Sequence, residues 1–271
     1  MDSLEWSGRV GDLWAEEWRR TDRSFVPVDA VLVETAAARV TGLPSPRILD
    51  VGCGAGTTSF SLAARLRNAR ITGVDLSSGL IDVARSRANA VASCRFEQGD
   101  ATRWAGARDF DLLVSRHGVM FFDDPVSAFT HLRSLARPGA GLVFSCFQSP
   151  AANRWVSGLA HLLPPLADPH APGPFAFADE THVSTILKRA GWSGAEAQPL
   201  PFEYVAGSGE DPVADAIDYF RRIGPAARAI RDAEGAQRER LIAGLEALVR
   251  EHLNGDRVVF PAAAWIWSAT A

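Results

Sequence analysis

The stretch Arg47–Thr58, reading RILDVGCGAGTT, constrains this chain more than any other. Ile48, Leu49 and Val51 suit a strand buried on both faces, as strands of parallel sheets are. Glycines follow at 52, 54 and 56, and an amphipathic run extends from Thr57 to Leu66. Strand, glycine turn and helix in that order open an α/β domain of the kind that holds nucleotide-like ligands at the turn.

The pattern downstream repeats that opening. Strands are predicted at 47–51, 70–74, 94–98, 110–115 and 141–147, with helices at 57–66, 78–91 and 125–136 between them. Ser77 or Ser78 caps the second helix, and Asp124-Pro125 starts the third with an N-cap and a proline at the first helical position. Such alternation implies a parallel sheet covered by helices on both faces. Ahead of it, residues 8–40 read as two helices with Pro27 as the break between them. Behind it, a helix is predicted near 155–163. A proline-rich loop, a helix over 180–190 capped by Asp179, and a strand over 195–205 follow. Helices over 212–222 and 236–252 precede a closing strand over 257–268. Residues 1–46 thus form a helical N-terminal segment over the ligand site, 47–205 and 256–271 the core, and 206–255 a helical insertion acting as a lid.

Composition narrows the function classes. A net charge of −4 argues against non-specific nucleic-acid binding, which needs a basic surface. Cys53, Cys94 and Cys146 form no CxxC or Cys/His pattern, so neither a metal nor a disulfide framework is expected, only small buried thiols. The N-terminus lacks the basic and apolar regions of a secretory signal, and no apolar run reaches the ~20 residues that cross a bilayer. A cytoplasmic protein is the expectation, and oligomeric state is not legible. Only Lys188 among 28 basic residues is lysine, which leaves one candidate for any mechanism that needs that residue.

Three carboxylates sharpen the glycine turn. Asp50 lies inside the strand before the turn, where it would repel a pyrophosphate and suit a ligand carrying an ammonium and a sulfonium. Asp75 ends the second strand about twenty residues after the first glycine, the place of a ribose-binding carboxylate. Asp100 follows the third strand, where its side chain can accept the adenine amino group.

With these residues in view, the chain resembles the class I S-adenosylmethionine-dependent methyltransferases. ILDVGCGAGTTS resembles that family's first motif, GVDLS its second, EQGDA its third, and FDLLVSRHGVMFF with ARPGAGLVFSCF its later strands. The likeness starts near Trp6 and reaches the last strand. Through GDLW at 11–14 and VMFF at 119–122 it is narrowest toward the ubiquinone/menaquinone-methyltransferase-like small-molecule group. The resemblance implies a doubly wound, Rossmann-like, seven-stranded, mostly parallel sheet with an antiparallel last strand. It also implies S-adenosyl-L-methionine as cofactor and S-adenosyl-L-homocysteine as product. Carried onto this sequence, it assigns the methionine moiety to Asp50, Gly52, Gly54 and Thr57, with Ser115 and Arg116 beside it. The ribose falls to Asp75, and the adenine to Leu76, Asp100 and Ala101. Trp14 would cover the cofactor, although a tryptophan packing between helices gives the same pattern.

The chemistry implied is methyl transfer to a small-molecule acceptor through an oxygen, nitrogen or carbon nucleophile, with no metal. His117, directly after the fourth strand, is the candidate general base. A histidine that shapes the pocket wall is the competing reading. Met120, Phe121, Phe147, Trp155, Tyr219 and Phe220 are candidate acceptor contacts, with Phe175 and Phe177 beside them. Two other functions stay open. One is a protein that binds the same cofactor without methylating. The other is an NAD(P)-dependent oxidoreductase, against which Thr57 stands where GxGxxG needs its third glycine, and against which neither tyrosine begins a Tyr-x-x-x-Lys.

Overall fold

The structure, a computed structural model, describes residues 8–88, 91–165 and 168–271. The part of the resemblance before Gly8, and positions 89 and 90 of the predicted second helix, lie outside the described residues. Strands β1 (Arg47–Val51), β2 (Arg70–Asp75), β3 (Cys94–Gln98), β4 (Phe110–Arg116) and β5 (Ala136–Phe147) pair in parallel, as the alternation predicts. Beyond β5 lie β6 (Ser193–Ser208), the two-residue β7 (Leu253–Asn254) and β8 (Arg257–Thr270). The order is β3-β2-β1-β4-β5-β8-β6, and β8 runs antiparallel to both neighbours. Seven strands thus build the expected sheet, and β7 is a short hairpin partner of β8.

The chain reverses its direction of travel across the sheet between β1 and β4, and ligands of doubly wound sheets bind at the strand ends beside such a switch. Ile48, Leu49, Leu112, Leu113 and Val114 are buried there. At the other side, Phe144 of β5 and Trp267 of β8 stack with centroids 6.1 Å apart, tying the antiparallel strand into the core.

Helices α1 (Arg9–Glu16) and α2 (Trp18–Arg39) precede the sheet, and their boundary corrects one expectation. The break falls at Glu17, and Pro27 lies inside α2. Phe25, Val28, Leu32, Val33 and Ala36 form one buried stripe through the proline. Burial of that stripe outweighs the ~3 kcal/mol a proline costs in a helix interior. Helix α3 (Thr57–Arg65) follows β1. Helix α4 (Ser78–Arg87) is capped by Ser77 Oγ accepting from Leu80 N, and α5 (Pro125–Leu135) by Asp124 accepting from Ser127 N. α4 ends earlier than expected, and the helix predicted near 155–163 shrinks to α6 (Arg154–Ser157) followed by turns. α7 (Glu180–Arg189) begins at its predicted cap, Asp179.

Between β6 and β8 stand α8 (Pro212–Arg222), α9 (Pro225–Asp232) and α10 (Gly235–Glu251). Residues 225–232 fall outside every predicted helix, because Gly224-Pro225 has the composition of a loop. Proline at the first helical position instead starts α9, whose Ala226, Ala229 and Ile230 are buried.

Candidate active site

A cavity of about 850 Å³ opens at the carboxyl ends of β1, β2 and β4, beneath α1 and α2 on one side and α8 and α9 on the other. Its floor is the glycine turn. Gly52, Gly54 and Gly56 have φ of +65°, +53° and +83°, a left-handed run that only glycine adopts without strain. A side chain at Gly52 would also meet the Gly118 Cα at 3.1 Å, so the turn after β1 and the turn after β4 touch backbone to backbone.

Of the predicted cofactor residues, Trp14, Asp50, Gly52, Gly54, Asp75, Leu76, Asp100, Ala101 and Arg116 line this cavity. Asp50 is 1% exposed; its Oδ2 accepts from Ser59 Oγ at 2.6 Å, and its Oδ1 has no partner. Burial pushes its carboxyl up to about 7, against the lowering pull of the Ser59 hydrogen bond and the Arg116 charge. Asp75 accepts from Gly54 N and Ser77 N, each at 2.9 Å, and burial raises its carboxyl too. Asp100 is more heavily engaged: Oδ1 accepts from Thr102 N and Oγ1, and Oδ2 pairs with Arg103 at 3.0 Å.

Two predicted cofactor residues are not among those lining the cavity. Ser115 is fully buried; its Oγ donates to Val51 O at 2.7 Å and accepts from Gly118 N at 3.3 Å. It locks the end of β4 to the end of β1. Thr57 donates to Asp22 and accepts from Arg87 Nη1 at 3.0 Å, so it fixes the start of α3 to α2 and α4. Both hydroxyls are taken up by the frame, Ser115 where it is fully buried and Thr57 where it is partly so.

Arg116 gathers the residues that sequence reading missed. Its Nη2 donates to Asp22 Oδ1 at 2.6 Å, its Nη1 sits 3.9 Å from Asp29 Oδ1, and that Nη1 has no hydrogen-bond partner. Asp29 in turn accepts from Thr58 and Ser61 at 2.6 and 2.7 Å. Trp18, Asp22, Phe25 and Asp29 recur at helical spacing along α2. Carboxylates in an otherwise apolar helical stripe were the available signal.

His117 also lines the cavity, 8% exposed and with φ of +58°. Its backbone N–H donates to Ser145 O at 3.1 Å, and its Nδ1 lies 2.7 Å from Ser145 Oγ, while Nε2 is buried without a partner. Burial, aided by the Arg116 charge, lowers the imidazole to about 3, so it is neutral at ordinary pH. Among the predicted acceptor contacts, Met120, Phe121, Phe147, Trp155 and Phe220 line the cavity, with Phe175 beside them. Tyr219 does not: it is 1% exposed and its hydroxyl bonds to those of Thr21 and Tyr204, both at 3.2 Å. Phe177 packs on Phe129 in the core instead. Tyr204 lines the cavity in their place, brought in by the far end of β6.

Comparison with known proteins bears on this site. Residues 48–139 match the family described as a methyltransferase domain. The chain is 34% identical over 107 residues to a malonyl-acyl-carrier-protein O-methyltransferase of Paenibacillus, a match covering 38% of this chain and 39% of that one. It is 35% identical over 91 residues to trans-aconitate 2-methyltransferase of Escherichia coli, covering 34% of this chain and 35% of that one. The matches therefore span well under half the length of these curated relatives. Among solved structures, phosphoethanolamine N-methyltransferase 2 of Haemonchus contortus, in complex with phosphomonomethylethanolamine and S-adenosylhomocysteine, has the same fold. It superposes with a TM-score of 0.58 at 15% identity, covering 97% of this chain and 58% of that one. The match over 48–139 identifies that stretch, built around the glycine turn, as a methyltransferase domain, and the fold around it is shared with the solved methyltransferase.

Proposed function

We propose that the protein transfers a methyl group from S-adenosylmethionine to a small-molecule acceptor held in the same cavity. One observation carries the reading. Two buried polar atoms, Asp50 Oδ1 and Arg116 Nη1, belong to cavity-lining residues and have no hydrogen-bond partner among the described residues. A buried polar atom without a hydrogen bond is costly, and an α-amino acid zwitterion supplies both missing partners at once. The ammonium of a methionine moiety suits Asp50, and its carboxylate suits Arg116. Asp75 uses one lone pair on each oxygen for the backbone, which leaves acceptor capacity for two ribose hydroxyls. Leu76 and Ala101 offer apolar contact to an adenine, and Asp100 can meet its edge through the oxygen it shares with exposed Arg103.

S-adenosylmethionine, when bound, supplies an electrophilic methyl group on a sulfonium. The chain's task is then to orient and to exclude water. Well-oriented reactants reach effective molarities of about 10⁵–10⁸ M, so in-line displacement needs little further help. α1 and α2 cover the donor side through Trp14 and Trp18, and α8 and α9 close the other through Phe220, Ile223 and Ala227. That placement supports reading 1–46 as a cover, 47–205 with 256–271 as the core, and 206–255 as a lid. A small-molecule acceptor also accords with the net charge of −4, which argues against non-specific binding to nucleic acid. The three cysteines are free and buried, as suits a reducing cytoplasm, and no described helix is long and apolar enough to cross a membrane.

Calorimetry with S-adenosylmethionine, S-adenosylhomocysteine and NAD, followed by mass detection of S-adenosylhomocysteine with an acceptor panel, tests the proposal. Binding of the first two and release of S-adenosylhomocysteine are expected. Release of methylthioadenosine, or binding of NAD alone, would overturn it.

A further inference from the structure

Part of the cavity wall is a closed circuit of rings. His117 and Phe25 have centroids 4.6 Å apart, Phe25 and Tyr204 5.8 Å, and Tyr204 and Trp155 5.4 Å. Trp155 and Phe147 then follow at 5.3 Å, and Phe147 returns to His117 at 4.5 Å. Trp155, Tyr204 and Phe220 share one orientation, with interplanar angles of 7°, 12° and 17°. Rings so aligned favour a planar molecule lying parallel to them.

The polar atoms in this circuit are unusual in kind. His117 Nε2 and Trp155 Nε1 are both buried and have no hydrogen-bond partner among the described residues. The indole N–H is a donor only. The His117 ring is held through its backbone N–H and its Nδ1 by a single residue, Ser145. When Ser145 Oγ–H donates to Nδ1, the ring proton stands on Nε2. Two N–H donors are then left over, the Arg116 guanidinium adjoins, and no carboxylate belongs to the circuit. The charged and titratable groups around it are Arg116 from β4 with its partners Asp22 and Asp29 from α2, Arg23 from α2, and the hydroxyls of Tyr204 from β6 and Tyr219 from α8. Burial pushes both tyrosines up, so they stay neutral. A protonated amine would meet two N–H donors and no carboxylate within the circuit itself. An oxyanion would find two donors.

Building on the methyl-transfer reading, we propose that this chamber takes a planar acceptor with an acidic hydroxyl, a phenol or an enol, as its anion. In this arrangement Nε2–H of His117 positions the oxygen and does not act as a base. The hydroxyl proton is lost to bulk water when the anion enters, so no group of the chain has to store it. Burial that keeps the imidazole neutral fits a donor that never accepts that proton.

The probe is 4-nitrophenol, compared with nitrobenzene and 4-nitroaniline, with its ionisation followed by phenolate absorbance on the whole chain. Tenfold or tighter binding of 4-nitrophenol than of either comparator is expected, with its ionisation midpoint lowered on binding by about one unit, a tenfold rise in its ionisation constant. His117→Phe abolishes the shift, and His117→Gln, which keeps an N–H donor, retains most of it. Equal binding of the three probes, a raised midpoint, or preference for the aniline overturns the proposal, and none of these needs a variant to fold. Calorimetry with S-adenosylmethionine is read separately. Cofactor binding without a phenolate shift removes this inference alone; a phenolate shift without cofactor binding supports the chamber and removes methyl transfer.

Discussion

Arg116 Nη2 donates to Asp22 Oδ1 at 2.6 Å, joining the end of β4 to α2 at the wall of the cavity. Asp22 also accepts from Thr57 and lies 3.5 Å from Arg87 Nη1, so α3 and α4 converge on the same carboxylate. With side-chain exposures of 14% and 16%, the Arg116–Asp22 pair is largely withdrawn from water. Removing one partner of such a pair strands the other. Asp22→Ala is expected to lower unfolding stability by about 2–4 kcal/mol in urea titration, with Asp22→Asn milder. A change within about 0.5 kcal/mol of zero, on the order of an ordinary surface substitution, would show that the network does not anchor the site.

On the proposed reading, donor binding is expected to depend on pH through Asp50. Its carboxyl titrates near pH 7 in the folded chain, and a ligand ammonium prefers the ionised form. Affinity for S-adenosylmethionine is expected to be roughly tenfold weaker at about pH 6 than at about pH 7.5, as protonation competes with the ligand. Isothermal calorimetry on wild type and Asp50→Asn checks this. The variant should bind more weakly and with a flat profile over the same range, and a sloping profile in the variant would move the titration to another group.

For stability the same carboxyl works in the opposite sense to His117. A carboxyl raised on folding binds protons that the unfolded chain has released, so its contribution falls as pH rises from about 4 toward 7. His117 is lowered on folding from 6.5 to about 3. The unfolded chain holds the extra proton in that window, so stability is present above pH 6.5 and is lost as pH falls toward 3. Replacing His117 by Gln should therefore flatten the acid limb of a melting-temperature profile between those limits. Asp50→Asn should raise the neutral side relative to the acid side. Parallel profiles for wild type and His117→Gln would count against a buried neutral imidazole.

Two glycines of the turn separate strain from contact. Gly54 has φ of +53°, and a Cβ added there would meet no atom within 4 Å. Gly52 has φ of +65°, and its added Cβ would meet Gly118 Cα at 3.1 Å. Gly54→Ala is expected to cost about 1 kcal/mol, the conformational contribution alone. Gly52→Ala should cost more, because the β1 and β4 turns must part. Chemical denaturation of both variants measures the difference, and equal losses would mean that the Gly118 contact yields freely.

Much of this fold is legible in the sequence. Apolar runs bounded by glycine, and caps at Ser77, Asp124 and Asp179, mark local choices that short stretches of chain make for themselves. Asp50 and Asp75 are legible for the same reason: each sits at a fixed place in a strand–turn unit, and the turn carries them to the cavity. At Pro27 a local rule is overruled by a buried stripe on both sides of it.

What the sequence by itself determined is the order of elements, the glycine turn and the carboxylates around it, because those depend on neighbours a few residues away. Tertiary structure alone decided which side chains spend their polar atoms on the frame and which line the cavity with a polar atom unbonded. Ser115 and Thr57 have the sequence positions of ligand contacts and act as fasteners, since Val51 and Asp22 reach them first. His117 is held by Ser145, and the ring circuit around it draws Phe25 from α2, Trp155 from α6 and Tyr204 from β6. No spacing along the chain encodes such meetings; they follow from the packing of the sheet and its covering helices.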